Sequence, residues 1–289
     1  MASAITTVWP ARARRPRRVG ATMEWIVLAL LGLVVVVTAI GPLVVPSSVN
    51  DSHILQALQA PSAHHWLGTD QQGRDVLERT IVGARASVGS AFLIVVGFSA
   101  IGVIVAVIAA AFGSTVDLIV MRLVDSVMSI PPIIFALGVA AALGPSLRSA
   151  ILALTLTGWP YTARLLRGII REVQQMPFVE GAAVLGVPRA RLMWQHILRN
   201  SLDVMIVKWA GDIGMTILVL GSLSFVGVAA QPPSAEWGAS ITAAQSSLSQ
   251  AWWPAFAPGV AIVLTGVTFG LIGDILHRRF APEGWRGVG

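Results

Sequence analysis

The chain has 289 residues, 55% of them hydrophobic and only 12% charged. Soluble domains carry about 25% charged residues, so a water-soluble fold of this length would expose apolar surface and aggregate, whereas a lipid environment removes that problem. The net charge of +6 is not interleaved with a soluble module, which argues against a nucleic-acid partner, and the lack of cysteine excludes disulfides, thiolate metal sites and cysteine nucleophiles.

A membrane-crossing helix needs about 20 mostly apolar residues. Residues 1–23 form a basic tail, followed by a first span over 24–45 that Pro46 ends. A basic region before an apolar stretch also fits a signal peptide. This stretch is long for that, and no clear small-x-small site follows, so an uncleaved span is expected. Residues 46–85 read as an extracytoplasmic segment. The second span lies within Ala86–Val116, where Gly89, Gly97 and Gly102 allow close helix packing. The third runs from about Leu123 to Leu143, with a kink expected at Pro131-Pro132. Pro160 and Arg164 interrupt the fourth, about Arg148–Leu166, and Pro160 is expected to kink it. A polar loop over 171–200 leads to the fifth span, about Leu202–Val228. An outer loop, about Ala229–Trp252, holds Gln231-Pro232-Pro233. The sixth span is about Trp253–Leu276, and 277–289 is a second tail. The prediction is an all-α integral membrane fold of six transmembrane helices, five of them in a domain over 86–276.

Basic residues orient this arrangement. With both termini in the cytoplasm, sixteen of the twenty Lys and Arg residues fall inside. They include Arg12, Arg14, Arg15, Arg17 and Arg18 in the first tail and Arg278, Arg279 and Arg286 in the last. Only Arg74, Arg79, Arg85 and Arg148 remain outside.

The sole lysine, Lys208, is flanked by Val207 and Trp209. A P-loop requires Gly-Lys before Ser or Thr, so any ATP is hydrolysed on another subunit. Lys208 and Asp212 are four residues apart on the fifth span and can pair on one helical face. They are candidates for the translocation path or a gate, or for a structural pair near the inner interface. An ion-coupled secondary transporter would need an unpaired deep acid, and Asp212 is the candidate. The histidines are scattered without metal-site spacing.

The loop 171–200 reads as a helix, a break at Gly186 and a second short helix. Val179, Ala182, Ala183 and Leu185 suggest an apolar stripe on the first, and Leu192, Met193 and Ile197 on the second. Such a pair lies on its own bundle or membrane, or docks on a partner. In the outer segment, Thr69 and Gln72 have capping-box spacing, while Gly68 and Gly73 permit tight turns.

Glu180-Gly181-Ala182, Gly186 and, after nine intervening residues, His196-Ile197-Leu198 resemble the EAA loop of membrane subunits of binding-protein-dependent ABC importers. Gly181 stands where Ala is usual, and Arg199 where Pro is common. Gly68-Thr69-Asp70 through Gly73-Arg74-Asp75 is similar to the outer signature of peptide and nickel permeases, specifically the "C" type subunit of the dipeptide/oligopeptide pair. Gly83-Ala84-Arg85-Ala86-Ser87, Gly158-Trp159-Pro160, Leu223-Ser224-Phe225-Val226-Gly227 and Glu236-Trp237-Gly238 extend the resemblance, which covers about Pro61–Pro282.

The resemblance implies a type I ABC importer-like fold in a bacterial plasma (inner) membrane. It implies a cytoplasmic coupling helix contacting an ATPase subunit through Glu180, Gly181, Ala182, Gly186, Val187 and His196. It also implies a second homologous permease subunit and an extracytoplasmic solute-binding protein, with ATP and Mg on the ATPase partners and no cofactor in this chain. Gly68, Thr69, Asp70, Gly73, Arg74 and Asp75 are expected to fold the outer segment over the bundle's mouth. Peptide is the favoured cargo, with nickel or another small solute as the alternative.

Overall fold

The computed structural model describes residues 21–280. The two basic tails used in the orientation argument lie outside them, apart from Arg278 and Arg279. Among the described residues there is no β-strand; a lone bridge joins Thr69 and Asp75. The helices are α1 (Ala21–Val44), α2 (Val76–Ala111), α3 (Ser114–Met128), α4 (Pro132–Leu143), α5 (Leu147–Gln174), α6 (Pro177–Val184), α7 (Arg189–Arg191), α8 (Leu198–Val226), α9 (Trp237–Ala244) and α10 (Trp253–Phe280).

Four helical runs are long and apolar enough to cross a membrane: Thr22–Val44, Val76–Ala111, Arg189–Val226 and Trp253–Arg279. A fifth arises if α3 and α4 count as one broken span. Six spans were expected. The difference lies in α5, whose 28 residues are long enough but include Arg148, Arg164, Arg167, Arg171 and Glu172. This polar helix packs chiefly on α2 and also on α4 and α8, while Arg148, Arg164 and Glu172 remain exposed. It continues as one helix past buried Pro160.

Other expectations also change. The third span is two helices meeting at 81°. Pro132 is the first residue of α4, where the missing N–H costs nothing. The second span begins at Val76, so the last ten residues of the expected outer segment are helical. The short helix after Gly186 does not end before the fifth span. It passes through a π-helical turn at Leu192–Ile197 directly into α8. The connection between α8 and α10 contains α9.

The core has three regions. Ile94, Phe98, Ala140, Leu154 and Leu220 join α2, α4, α5 and α8. Leu166, Ile170, Val179, Met193 and Met205 pack the end of the bundle beside the 171–200 loop. Ala91, Ile217, Trp237 and Ile262 join α2, α8, α9 and α10. Small residues set the spacing: a Cβ on Gly102 would lie 2.6 Å from Thr162 Cβ, and one on Gly238 2.6 Å from the Gly221 carbonyl oxygen. Outward faces carry Leu33, Val36, Phe92, Leu93, Ile104, Val263 and Leu264, all exposed in this chain and suited to lipid or a partner helix.

Candidate functional site

The loop resembling the EAA motif is a hinged bracket. α5 ends at Gln174, and Pro177 opens α6 at its first turn. α6 stops in a Schellman motif. The Gly186 N–H donates to the Ala183 carbonyl at 3.0 Å, and the Val187 N–H to the Ala182 carbonyl at 3.1 Å. Gly186 has φ +82°, a left-handed conformation that side-chain-bearing residues resist. Val179, Leu192, Met193 and Ile197 are buried against Leu166, Ile170 and Val173 of α5, so one face of the bracket is fixed to the bundle. The other face is open. Val184 and Leu185 are 83% and 85% exposed, and Glu180 and Trp194 are exposed as well.

The expected apolar stripe on α6 is therefore wrong in part. Val179 is buried and Ala182 half-buried, but Ala183 and Leu185 face outward. Glu180 lies in the first turn of α6, where the helix dipole favours an acid. Among the described residues no ion pair includes it. Gly181 is exposed, Val187 half-buried, and His196 half-buried in the π-helical turn.

At the other end, the signature residues form a compact knot. Gly68 and Gly73 have φ +72° and +74°. The Asp70 carboxylate accepts from the N–H groups of Gln72 (2.9 Å) and Arg74 (3.0 Å), and from Arg74 Nε (2.8 Å). Thr69 is no helix cap. Its buried hydroxyl accepts from the Gln59 N–H at 2.8 Å and donates to the Gln56 carbonyl. The N-cap of α2 is Asp75, which accepts from the Glu78 N–H at 2.9 Å and pairs with His65 Nδ1 at 2.9 Å. Buried Arg79 reaches Asn50 Oδ1 at 2.7 Å and the Ser234 carbonyl at 3.1 Å. Trp253 Nε1 donates to the Thr69 carbonyl at 3.1 Å. These contacts tie the segment before α2 to the α8–α10 connection.

Glu236, 1% exposed, completes that closure and was not singled out by residue-level reasoning. It accepts from Ser87 Oγ at 3.1 Å and caps α9 through the Ala239 N–H at 2.9 Å. Its signal was an acid just before Trp237-Gly238, at cap spacing.

Within the bundle, Lys208 and Asp212 form an ion pair on α8, and Lys208 Nζ sits 5.6 Å from the Phe98 ring centroid. Both line a cavity of about 200 Å³ among α2, α4, α5 and α8. The sequence did not reveal two further links between α3 and α5. Asp117 takes Arg167, with Nε at 2.9 Å, and Arg171 Nη2 at 3.2 Å, while Asp125 pairs with Arg164. These links join α3 to the helix that leads into α6.

Residues 99–283 match the family model for the binding-protein-dependent transport system inner membrane component. The chain is 37% identical over 254 residues to a probable D,D-dipeptide transport system permease protein of Escherichia coli strain K12, covering 88% of this chain and 85% of the relative. It is 34% identical over 261 residues to a dipeptide transport system permease protein of Alkalihalophilus pseudofirmus, covering 89% and 86%. A crystal structure of an amino acid ABC transporter with histidines superposes with a TM-score of 0.58 at 18% identity, over 70% of this chain and 94% of that one. That likeness bears on the fold alone. With the family model spanning most of the helical domain and two such relatives spanning nearly the whole chain, the protein belongs to the binding-protein-dependent transport system inner membrane components.

Proposed function

We propose that this chain is the pore-forming permease subunit of an ATP-driven importer that carries di- or oligopeptides by alternating access. Family membership makes it a multi-pass inner-membrane protein and implies ATPase and substrate-binding partners. The peptide cargo rests on the two relatives named as dipeptide permeases. Both termini lie in the cytoplasm, in keeping with the basic residues of the tails. ATP and Mg are handled by the partner subunits, because the only lysine is not in a P-loop setting. A second, homologous permease completes the pore, and the knot from Gly68 to Asp75 shapes the outer mouth near the solute-binding protein. Lys208 and Asp212 belong to the pathway or its gate.

The observation that carries this reading is the bracket around Gly186. One side is packed into the bundle, and the other presents Glu180, Val184 and Leu185 outward. A bare apolar tip beside an acid, on a rigid elbow, suits a groove in a soluble partner. Glu180, Gly181, Ala182, Gly186, Val187 and His196 form the coupling contact. When ATP closes the ATPase dimer, α6 moves with it, and α5 and α8 carry the motion into the pore. The test is copurification of the ATPase with this chain. Glu180→Lys should abolish it while leaving membrane insertion intact, and wild-type recovery of the ATPase by that variant would remove the coupling assignment.

A further inference from the structure

The cavity beside the Lys208–Asp212 pair has a chemistry that goes beyond a generic pathway. It is open rather than enclosed, and among the described residues Lys208 and Asp212 bring the only charged side chains to its lining. Both are about three-quarters buried. Phe98, Leu154 and Met215 make apolar walls, while Tyr161 and Thr216 add polar lining.

As a stabilising device the pair is poor. Intrahelical pairs contribute about 0.2–0.5 kcal/mol, and the order Lys before Asp is the less favourable one for the helix dipole. Desolvating two charges offsets much of their attraction. Ionisable groups within a membrane-crossing helix are expensive, and by default they mark a substrate route.

We infer that this cavity binds a zwitterion, with Lys208 taking a carboxylate and Asp212 an ammonium group. The inference rests on the importer reading above and names what the site would recognise. The two charged groups are in direct contact as an ion pair, so a ligand that displaces this contact has to bring one anionic and one cationic group, as the free termini of a short peptide do. The cavity has a volume of about 200 Å³ and is open on one side, so it admits a small zwitterion. Pro132 also lines the cavity and opens α4 there. A bound zwitterion replaces one intrahelical pair with two intermolecular ones and leaves the cavity's charge unchanged. The side chains pair with each other when the site is empty, and with the cargo when it is filled.

The test uses the purified complex of this chain with its permease and ATPase partners, without the solute-binding protein. Equilibrium dialysis measures radiolabelled dialanine, its C-terminal amide and its N-acetyl form. The zwitterion should bind at least tenfold more tightly than either blocked form. Lys208→Met should erase the preference over the amide, and Asp212→Asn the preference over the acetyl form. Equal binding of all three ligands by the wild-type complex, or no binding at millimolar concentration, overturns the site. So does an unchanged preference in both variants. The ligand series on the wild-type complex needs no mutation, so a misfolded variant does not spare the proposal. ATP-driven uptake of dialanine by the complete wild-type system, measured separately, tests the importer reading. Uptake without the binding preference removes only the site, and no uptake removes the peptide reading.

Discussion

Gly186→Pro strikes the elbow at a single bond. The native φ is +82°, whereas proline is held near about −65°. Proline also removes the N–H that donates to Ala183 at 3.0 Å. The elbow has to reopen, and α6 loses its fixed angle to α5 and α8. Gly186→Ala is the graded control. A Cβ at this position would meet nothing within 4 Å, so the penalty is torsional. It amounts to about 1–2 kcal/mol for a left-handed residue with a side chain, equivalent to roughly 5–30-fold in the population holding the native elbow. ATP-driven uptake in vesicles, normalised to inserted protein, should fall by up to that factor in the alanine variant and to background in the proline variant. The mutation sits away from the spanning helices, so insertion should be unchanged. Normal uptake by Gly186→Pro at equal expression would refute the role of the elbow.

Two further outcomes follow from close contacts elsewhere. A Cβ on Gly83 would lie 2.1 Å from the Ala235 carbonyl oxygen, so Gly83→Ala should push α2 from the α8–α10 connection and cost about 1–3 kcal/mol, read as a lower unfolding temperature in detergent. Asp117→Ala leaves Arg167 and Arg171 without their shared acceptor. It should destabilise by about 1–3 kcal/mol and reduce ATPase stimulation by substrate, whereas an unchanged melting profile and full stimulation would make the link incidental.

The spans were legible where hydrophobicity is continuous, as in α1, α2 and α10. The two proline signals had opposite outcomes. Pro131-Pro132 marks a true break because the chain can restart a helix at Pro132. Pro160 does not break α5, whose buried side chains from Ala153 to Ala163 are held by tertiary packing. Local spacing misled at Thr69, because its hydroxyl bonds Gln56 and Gln59 rather than the residues just after it. Asp75 had the right type and position for a helix cap, but the start of α2 was hidden by its charged first turns. The Asp117–Arg167 and Asp117–Arg171 contacts join residues 50 and 54 positions apart, a separation that no periodicity reports. The pairing of Lys208 with Asp212 was readable because four residues on a helix determine it, whereas their cavity depends on four helices.

The most direct measurement is solute uptake by vesicles holding this chain, reconstituted with its permease, ATPase and solute-binding partners and then without them. Accumulation should require ATP and the whole assembly, and an ion gradient alone should drive none. Concentration of solute by this polypeptide alone on an ion gradient, with nucleotide absent, would contradict the account.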